Sequence, residues 1–244
     1  MHDNKGKRAR LARAVVAAAL LFLPPAWIAS HAAGSEPARI TDPRLTATEM
    51  RWLQAFWPVL LFAREAGLPV DVVVQPQAAV DLPPLGLAWT GGRCKFVLSL
   101  RGNPEVPATD ARIAPEIFEA AMQLMAAHEL GHCTRHVRGE WMAAGDLLPV
   151  MASQREEAYA DLVGLAWTQR HHPALFSQVH AWLLAERQLS RERGPVHDTL
   201  AWAQLASRAD RFGTRSVFAE ADALWRQGLP ELTAAPGAGP PGGL

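Results

Sequence analysis

The stretch His128-Glu129-Leu130-Gly131-His132 decides how this chain is read, because its meaning depends on whether it is helical. Upstream of it Ile117, Ala121, Leu124 and Met125 recur at helical spacing, and the helical pattern runs from Ile113 to about Val137. On a helix, residues four apart lie ~400° round the axis, so both imidazoles project from one face, a turn apart. Such a pair can grip one zinc ion at about 2.0–2.1 Å from each nitrogen. Glu129 lies ~100° round from His128, beside the ion, where it can take a proton from a metal-bound water. The plainer reading is two core histidines and a surface glutamate. A five-residue pattern of this kind arises by chance in a chain this long on the order of once in a hundred.

A catalytic zinc wants a third protein ligand and an open position for water. His136 continues the series on the same helix, but a straight helix spreads residues 128, 132 and 136 over about 12 Å, too far for one ion. A reversing turn after His132 would need glycine at 135 and histidine at 138, and both positions are arginine. His136 is therefore expected as a helix-terminal cation or a rim residue. The second source is Glu157-Ala158-Tyr159-Ala160-Asp161, followed by Gly164, on a further helical segment, about Gln154 to His171. Glu157 and Asp161 share a face, so one carboxylate can bind the ion while the other receives the spare N–H of a metal-bound histidine. Ala158, Ala160, Leu162, Val163 and Leu165 make this helix largely buried, and buried acids are costly unless partnered. Glu156 competes for the ligand role, but its phase relative to Asp161 is worse by ~100°. A solvated acidic patch is the bland alternative.

HELGH followed 25 residues later by Glu-x-x-Ala-Asp-x-x-Gly resembles the gluzincin zinc metallopeptidases. It is particularly similar to the prenyl-protein and membrane-stress proteases, and shares its arrangement with thermolysin. The resemblance spans His128 to Gly164. It implies one zinc ion per chain on His128, His132 and Glu157, with Glu129 as general base and Asp161 behind the ligands. It also implies a peptide or protein substrate received by an edge strand, which by position would be Cys94 to Leu100. Gluzincins often use a later donor to stabilise the oxyanion, and Val196-His197-Asp198-Thr199 offers His197 for that role. A mere loop histidine is the alternative, and Asp198 or Thr199 can equally cap the next helix. Tyr159 is a weaker donor candidate. The membrane-stress proteases carry several transmembrane helices, which this chain lacks after its N-terminal segment.

Outward from the motifs, Thr46 and Glu49 open a helix whose stripe is Met50, Leu53, Phe56, Trp57, Leu60 and Leu61. Pro58 should kink or end its first segment, and Gly67 closes the run. Val70–Val74 is a short β-branched strand, and Leu85–Thr90 with Cys94–Leu100 flank Gly91-Gly92, a hairpin signal. A loop with Pro104 and Pro107 follows. After 153 the pattern is helical, restarting beyond Pro173 to roughly Arg187, then near Thr199–Ala209 and Val217–Gln227. His171, His172 and His180 sit near helix ends and carry no role, and the tryptophans, such as Trp167, Trp182 and Trp202, read as core. The fold class is α+β: a mostly helical zincin-like domain over 47–232, with a small antiparallel sheet beside the active-site helix. Residues 33–46 read as a linker and 233–244 as a disordered proline- and glycine-rich tail.

Ahead of this domain, basic residues to Arg13, the apolar run Ala14–Leu23 and small residues before Ala32 read as a signal peptide over 1–32, with Ala33 as a second cleavage choice. The alternative is an uncleaved anchor, although the run is short for a span. The domain is thus expected to be periplasmic or secreted, with no stable membrane insertion. Removing residues 1–32 takes five of the 24 basic and one of the 24 acidic residues, leaving a net charge of −4. A mildly acidic domain gives no footprint for nucleic acid. In an oxidising compartment Cys94 and Cys133 can pair, bracing the residue next to His132, or remain two buried thiols. Two rivals to the peptidase stand beside it: an inactive zinc-binding exported protein, and a metal hydrolase acting on a non-peptide substrate.

Overall fold

The computed structural model describes residues 21–22, 42–78, 82–143, 149–192, 194–207 and 209–233. The expected signal segment apart from Leu21–Phe22, the linker up to residue 41 and the tail beyond Thr233 lie outside the described residues. The described chain is α+β and mostly helical, with a small mixed sheet.

Helix α1 (Ala47–Glu65) starts in a capping box: the Glu49 N–H donates to Thr46 Oγ1, and the Thr46 N–H donates to Glu49 Oε2. The same buried carboxylate receives Arg101, which ties the residues after the sheet to the head of the helix. α1 runs unbroken through Pro58, contrary to the expected break. Pro58 itself stands on the exposed side of the helix, so its ring does not disturb the core packing. Trp52, Phe56, Val59 and Ala63 form the fully buried face opposite.

Four strands follow the order β1–β2–β4–β3: β1 (Leu21–Phe22), β2 (Val70–Val74), β3 (Leu85–Thr90) and β4 (Arg93–Leu98). β3 and β4 form the expected antiparallel hairpin, with Gly91 and Gly92 at φ 59° and 73°, the positive values a two-residue turn of this hand requires. β2 lies parallel to β4, with Val72 opposite Phe96, so the sheet is mixed rather than wholly antiparallel. β3, the next strand in sequence after β2, lies one position away from it, and β4 fills the place between them. β4 is consequently an interior strand. The edge expected at Cys94–Leu100 is instead formed by β3, which has no partner on its far side among the described residues.

The segment expected as a loop around Pro104 and Pro107 contains helix α2 (Glu105–Arg112). Pro107 falls in its first turn, where an N–H has no helical acceptor, and Asn103 Oδ1 accepts the Glu105 N–H at 2.9 Å. Helix α3 (Phe118–Val137) is buried on nearly every side, and α4 (Pro149–His171) packs along it. Helices α5 (Phe176–Arg191), α6 (Leu200–Leu205) and α7 (Val217–Thr233) close around α4. Among the described residues, no helix is long and apolar enough to cross a membrane.

Candidate metal centre

α3 carries His128 and His132 one turn apart, and α4 brings Glu157 and Asp161 across from them. The two Nε2 atoms stand 3.1 Å apart. Glu157 faces both, with Oε2 at 3.4 Å from His128 Nε2 and Oε1 at 3.4 Å from His132 Nε2. Tetrahedral ligands bonded at about 2.0–2.1 Å sit about 3.3–3.4 Å from one another, so this triangle matches one face of such a coordination shell. Two imidazole lone pairs and a carboxylate at these distances need a cation or protons between them. His128, His132 and Glu157 together form a group that can hold a metal ion.

The orientation of His128 is fixed from behind. Its Nδ1–H donates to Asp161 Oδ1 at 2.9 Å, which leaves the Nε2 lone pair facing the triangle. Asp161 is fully buried and has two further partners that the sequence reading missed. Arg187 of α5 forks onto it, with Nε donating to Oδ2 at 2.7 Å and Nη2 to Oδ1. The hydroxyl of buried Thr199 donates to Oδ2 at 2.5 Å, so Thr199 stands at the N-cap of α6 as expected but turns its side chain to Asp161 rather than to the helix N–H groups. Burial opposes the charge on Asp161, but the guanidinium and the His128 hydrogen bond outweigh it and hold its pKa well below the carboxylate range. His132 has no such support: its Nδ1 is buried without a hydrogen-bond partner.

Glu156, the competing ligand, points elsewhere, into a buried ion pair with Arg135. Glu129 is half-buried beside the triangle, and burial raises its pKa against the pull of the two imidazoles. The short turn at Pro195–His197 brings His197 over the site, and its Nδ1–H donates to Glu157 Oε2 at 3.2 Å while 49% of the side chain remains exposed. Burial works against the Glu157 charge, yet hydrogen bonds from His128, His132 and His197 lower its pKa well below the usual value. Within the core, Tyr159 packs fully buried against Trp225, at 5.9 Å between ring centroids, and plays no part in the cluster.

Cys94 of β4 and Cys133 of α3 are joined as a disulfide, which pins the sheet to the residue following His132. His136 is stacked on Trp141 and Trp89 instead of standing free as a cation, and burial lowers its pKa. Trp167 and Trp202 are core as expected, whereas Trp182 is only partly buried against the core and Trp89 and Trp141 are each 37% exposed. His171 stacks on Trp167, His172 reaches Gln123, and His180 bonds the Ala203 carbonyl, none of them at the cluster. Against known proteins, no family model, no curated protein and no solved structure matches this chain.

Proposed function

We propose that the chain is an exported zinc metallopeptidase of the gluzincin type, hydrolysing peptide bonds. The observation that carries this reading is the triangle of two helix-borne imidazoles and a carboxylate, with Asp161 fixing the tautomer of His128 from behind. Two nitrogens and one oxygen are a donor set that suits zinc. When bound, zinc would acidify a water ligand and polarise a substrate carbonyl.

The protein's own part lies in holding, orienting and moving protons. His128, His132 and Glu157 hold the ion. Glu129 takes the proton as the water attacks, and then delivers it to the leaving amine; a carboxylate whose pKa is raised by burial is a better base for that task. His197 keeps Nδ1–H on Glu157, and only as a doubly protonated imidazolium would it also donate its Nε2–H to the oxyanion. An extended peptide pairs with the free edge of β3, which supplies backbone groups next to α3. The disulfide supports an oxidising compartment, as export requires.

The test is incubation of the protein with a mixed peptide library, with and without a chelator. Cleavage that stops on chelation and returns with zinc is expected. Glu129→Gln should keep one zinc per chain and lose on the order of 10²–10⁴-fold in kcat, the usual worth of a positioned proton carrier. Full activity in that variant would overturn the role given to Glu129. Bound zinc with no cleavage of any peptide would remove the peptidase altogether.

A further inference from the structure

Two cationic side chains meet at a cavity on the far side of α4 from the metal triangle. The cavity, of about 230 Å³, lies between the end of α3, the loop that follows it, the start of α4 and α7. Arg135 and Arg155 both line it. Arg155 stands ~200° round α4 from Glu157, on the opposite face from the ligand carboxylate. Both guanidiniums rest on one indole: their Cζ atoms lie 4.8 Å (Arg135) and 5.2 Å (Arg155) from the centroid of the Trp225 ring. That ring is fixed, because its Nε1–H donates to the Arg155 carbonyl at 2.8 Å. Two like charges beside one ring repel, and each needs a counter-charge of its own.

Arg135 has its partners. Its Nε and Nη2 donate to the Glu156 carboxylate, each at 3.0 Å. Its Nη1 and Nη2 donate to the carboxylate and the carbonyl of Glu140, at 2.7 and 2.9 Å. Both acids that line the cavity, Glu140 and Glu156, are thus engaged by one arginine. Arg155 is left over. Among the described residues its half-buried side chain has no ion pair and no hydrogen bond, and its Nε is buried without a partner. A guanidinium does not lose its proton to escape such a position. Orphaned buried donors are rare in folded proteins, and each one calls for an explanation. Water could satisfy the N–H groups, but it would leave the charge unbalanced.

We propose that this cavity binds a small organic carboxylate, held by the Arg155 guanidinium beside Trp225. One uncompensated positive charge calls for a monoanion. The planar fork of a guanidinium matches a carboxylate, which accepts two parallel N–H bonds from it. Trp225 and the methyl groups of Ala143 and Ala152 supply an apolar wall for the body of the acid. The volume limits its size, since it falls below the roughly 300–1,000 Å³ of pockets that enclose drug-sized ligands. A compact acid fits. The inference does not depend on the peptidase reading, because neither the metal ligands nor Glu129 take part in it.

Calorimetry on the full chain, stripped of metal and dialysed free of chelator, tests this with phenylacetate against phenylacetamide, which has the same body and no charge. Phenylacetate should bind about tenfold or more tightly than the amide, the margin of a charge-assisted pair. The same Kd should appear in the zinc-loaded protein. Arg155→Met keeps an aliphatic stem over Trp225 and removes the charge; it should abolish the preference, while Arg155→Lys should retain part of it. In nitrogen-edited proton spectra, the arginine Nε–H signal that Arg155→Met deletes should be the one that phenylacetate moves. Melting temperature without any added acid gives a second readout. Arg155→Met should leave the protein as stable or more stable, because it removes an unpaired, half-buried charge. A drop would mean that a carboxylate of the chain itself already holds Arg155, and would overturn the site. Equal binding of acid and amide would do the same, as would a preference that needs zinc or survives Arg155→Met. Inorganic phosphate binding more tightly than phenylacetate would overturn the organic acid as occupant. So would tighter binding of a peptide with a free C-terminus, lost on amidation, which would assign the cavity to a chain end.

Discussion

Asp161 carries a full charge at zero exposure, and its three partners come from α3, α5 and the turn before α6. A buried charge that loses one partner costs far more than the pair contributed, typically about 3–5 kcal/mol. Arg187→Met should therefore lower stability by about that amount in urea unfolding. It should also weaken zinc binding about 10–100-fold, because the carboxylate that orients His128 would lose its own anchor. Affinity measured by competition with a chromophoric chelator, well below the melting temperature, separates this from simple unfolding. Unchanged zinc affinity in a folded Arg187→Met protein would reduce Arg187 to a structural ion pair. The His128, His132, Glu157 and Asp161 cluster was legible because helical periodicity converts spacing into direction. Arg187 was missed because its partner lies 26 residues away on another helix. A signal did exist: Phe176, Val179, His180 and Leu183 form the buried stripe of α5, and Arg187 falls in phase with it. A charged residue in phase with a buried stripe needs a buried counter-charge.

Two helices can present ligands to one ion only if their backbones come close, and α3 and α4 do so at two glycines. A Cβ on Gly131 would sit 2.9 Å from Ala160 Cα, and one on Gly164 would sit 2.9 Å from the Leu124 carbonyl oxygen. Both obstacles include backbone, which cannot swing aside. On helix propensity alone, alanine should stabilise either position by about 1 kcal/mol. The close approach reverses that sign: Gly131→Ala and Gly164→Ala should each cost about 1–3 kcal/mol in denaturant midpoints. Gly131→Ala should weaken metal binding more, since it pushes α4 away within the ligand motif itself. Stabilisation by either substitution would mean that the helices are less tightly joined than the structure shows. At this scale the legible features are the local ones. The capping box, the hairpin with its paired glycines, β2 and the long helices were all readable from short windows. Pairing across the sheet was not, because nothing near Val70–Val74 encodes its parallel neighbour, and the interior place of β4 follows from that pairing. Helix α2 was hidden by prolines whose position in its first turn makes them harmless.

Taken over the whole molecule, the metal centre ties stability to pH with two opposing signs. Without an ion, burial works to lower the His128 pKa from 6.5, but hydrogen bonds to Asp161 and Glu157 outweigh it and raise it to about 10. A group whose folded pKa lies above its unfolded value stabilises fully below the unfolded value, and that contribution fades as pH rises through the folded one. The carboxylates behave oppositely. Glu157 and Asp161 have pKa values lowered from 4.5 and 3.8, so their contribution is complete above those values and disappears as the solution becomes more acidic. Ion-free protein should then be most stable between about pH 5 and 6.5 and weaken steadily towards pH 10. A bound metal reverses the alkaline limb. The ion requires His128 to give up its proton, so affinity climbs as pH rises, and stabilisation grows with the ratio of free metal to Kd. Melting temperatures taken from about pH 5 to 8.5, once with chelator and once with excess zinc, should diverge: the chelated series declines above about pH 6.5 while the gap between the two widens. A gap that stayed constant across that range would show that no proton leaves an imidazole on binding, and the ion, if bound at all, would have to sit on other groups.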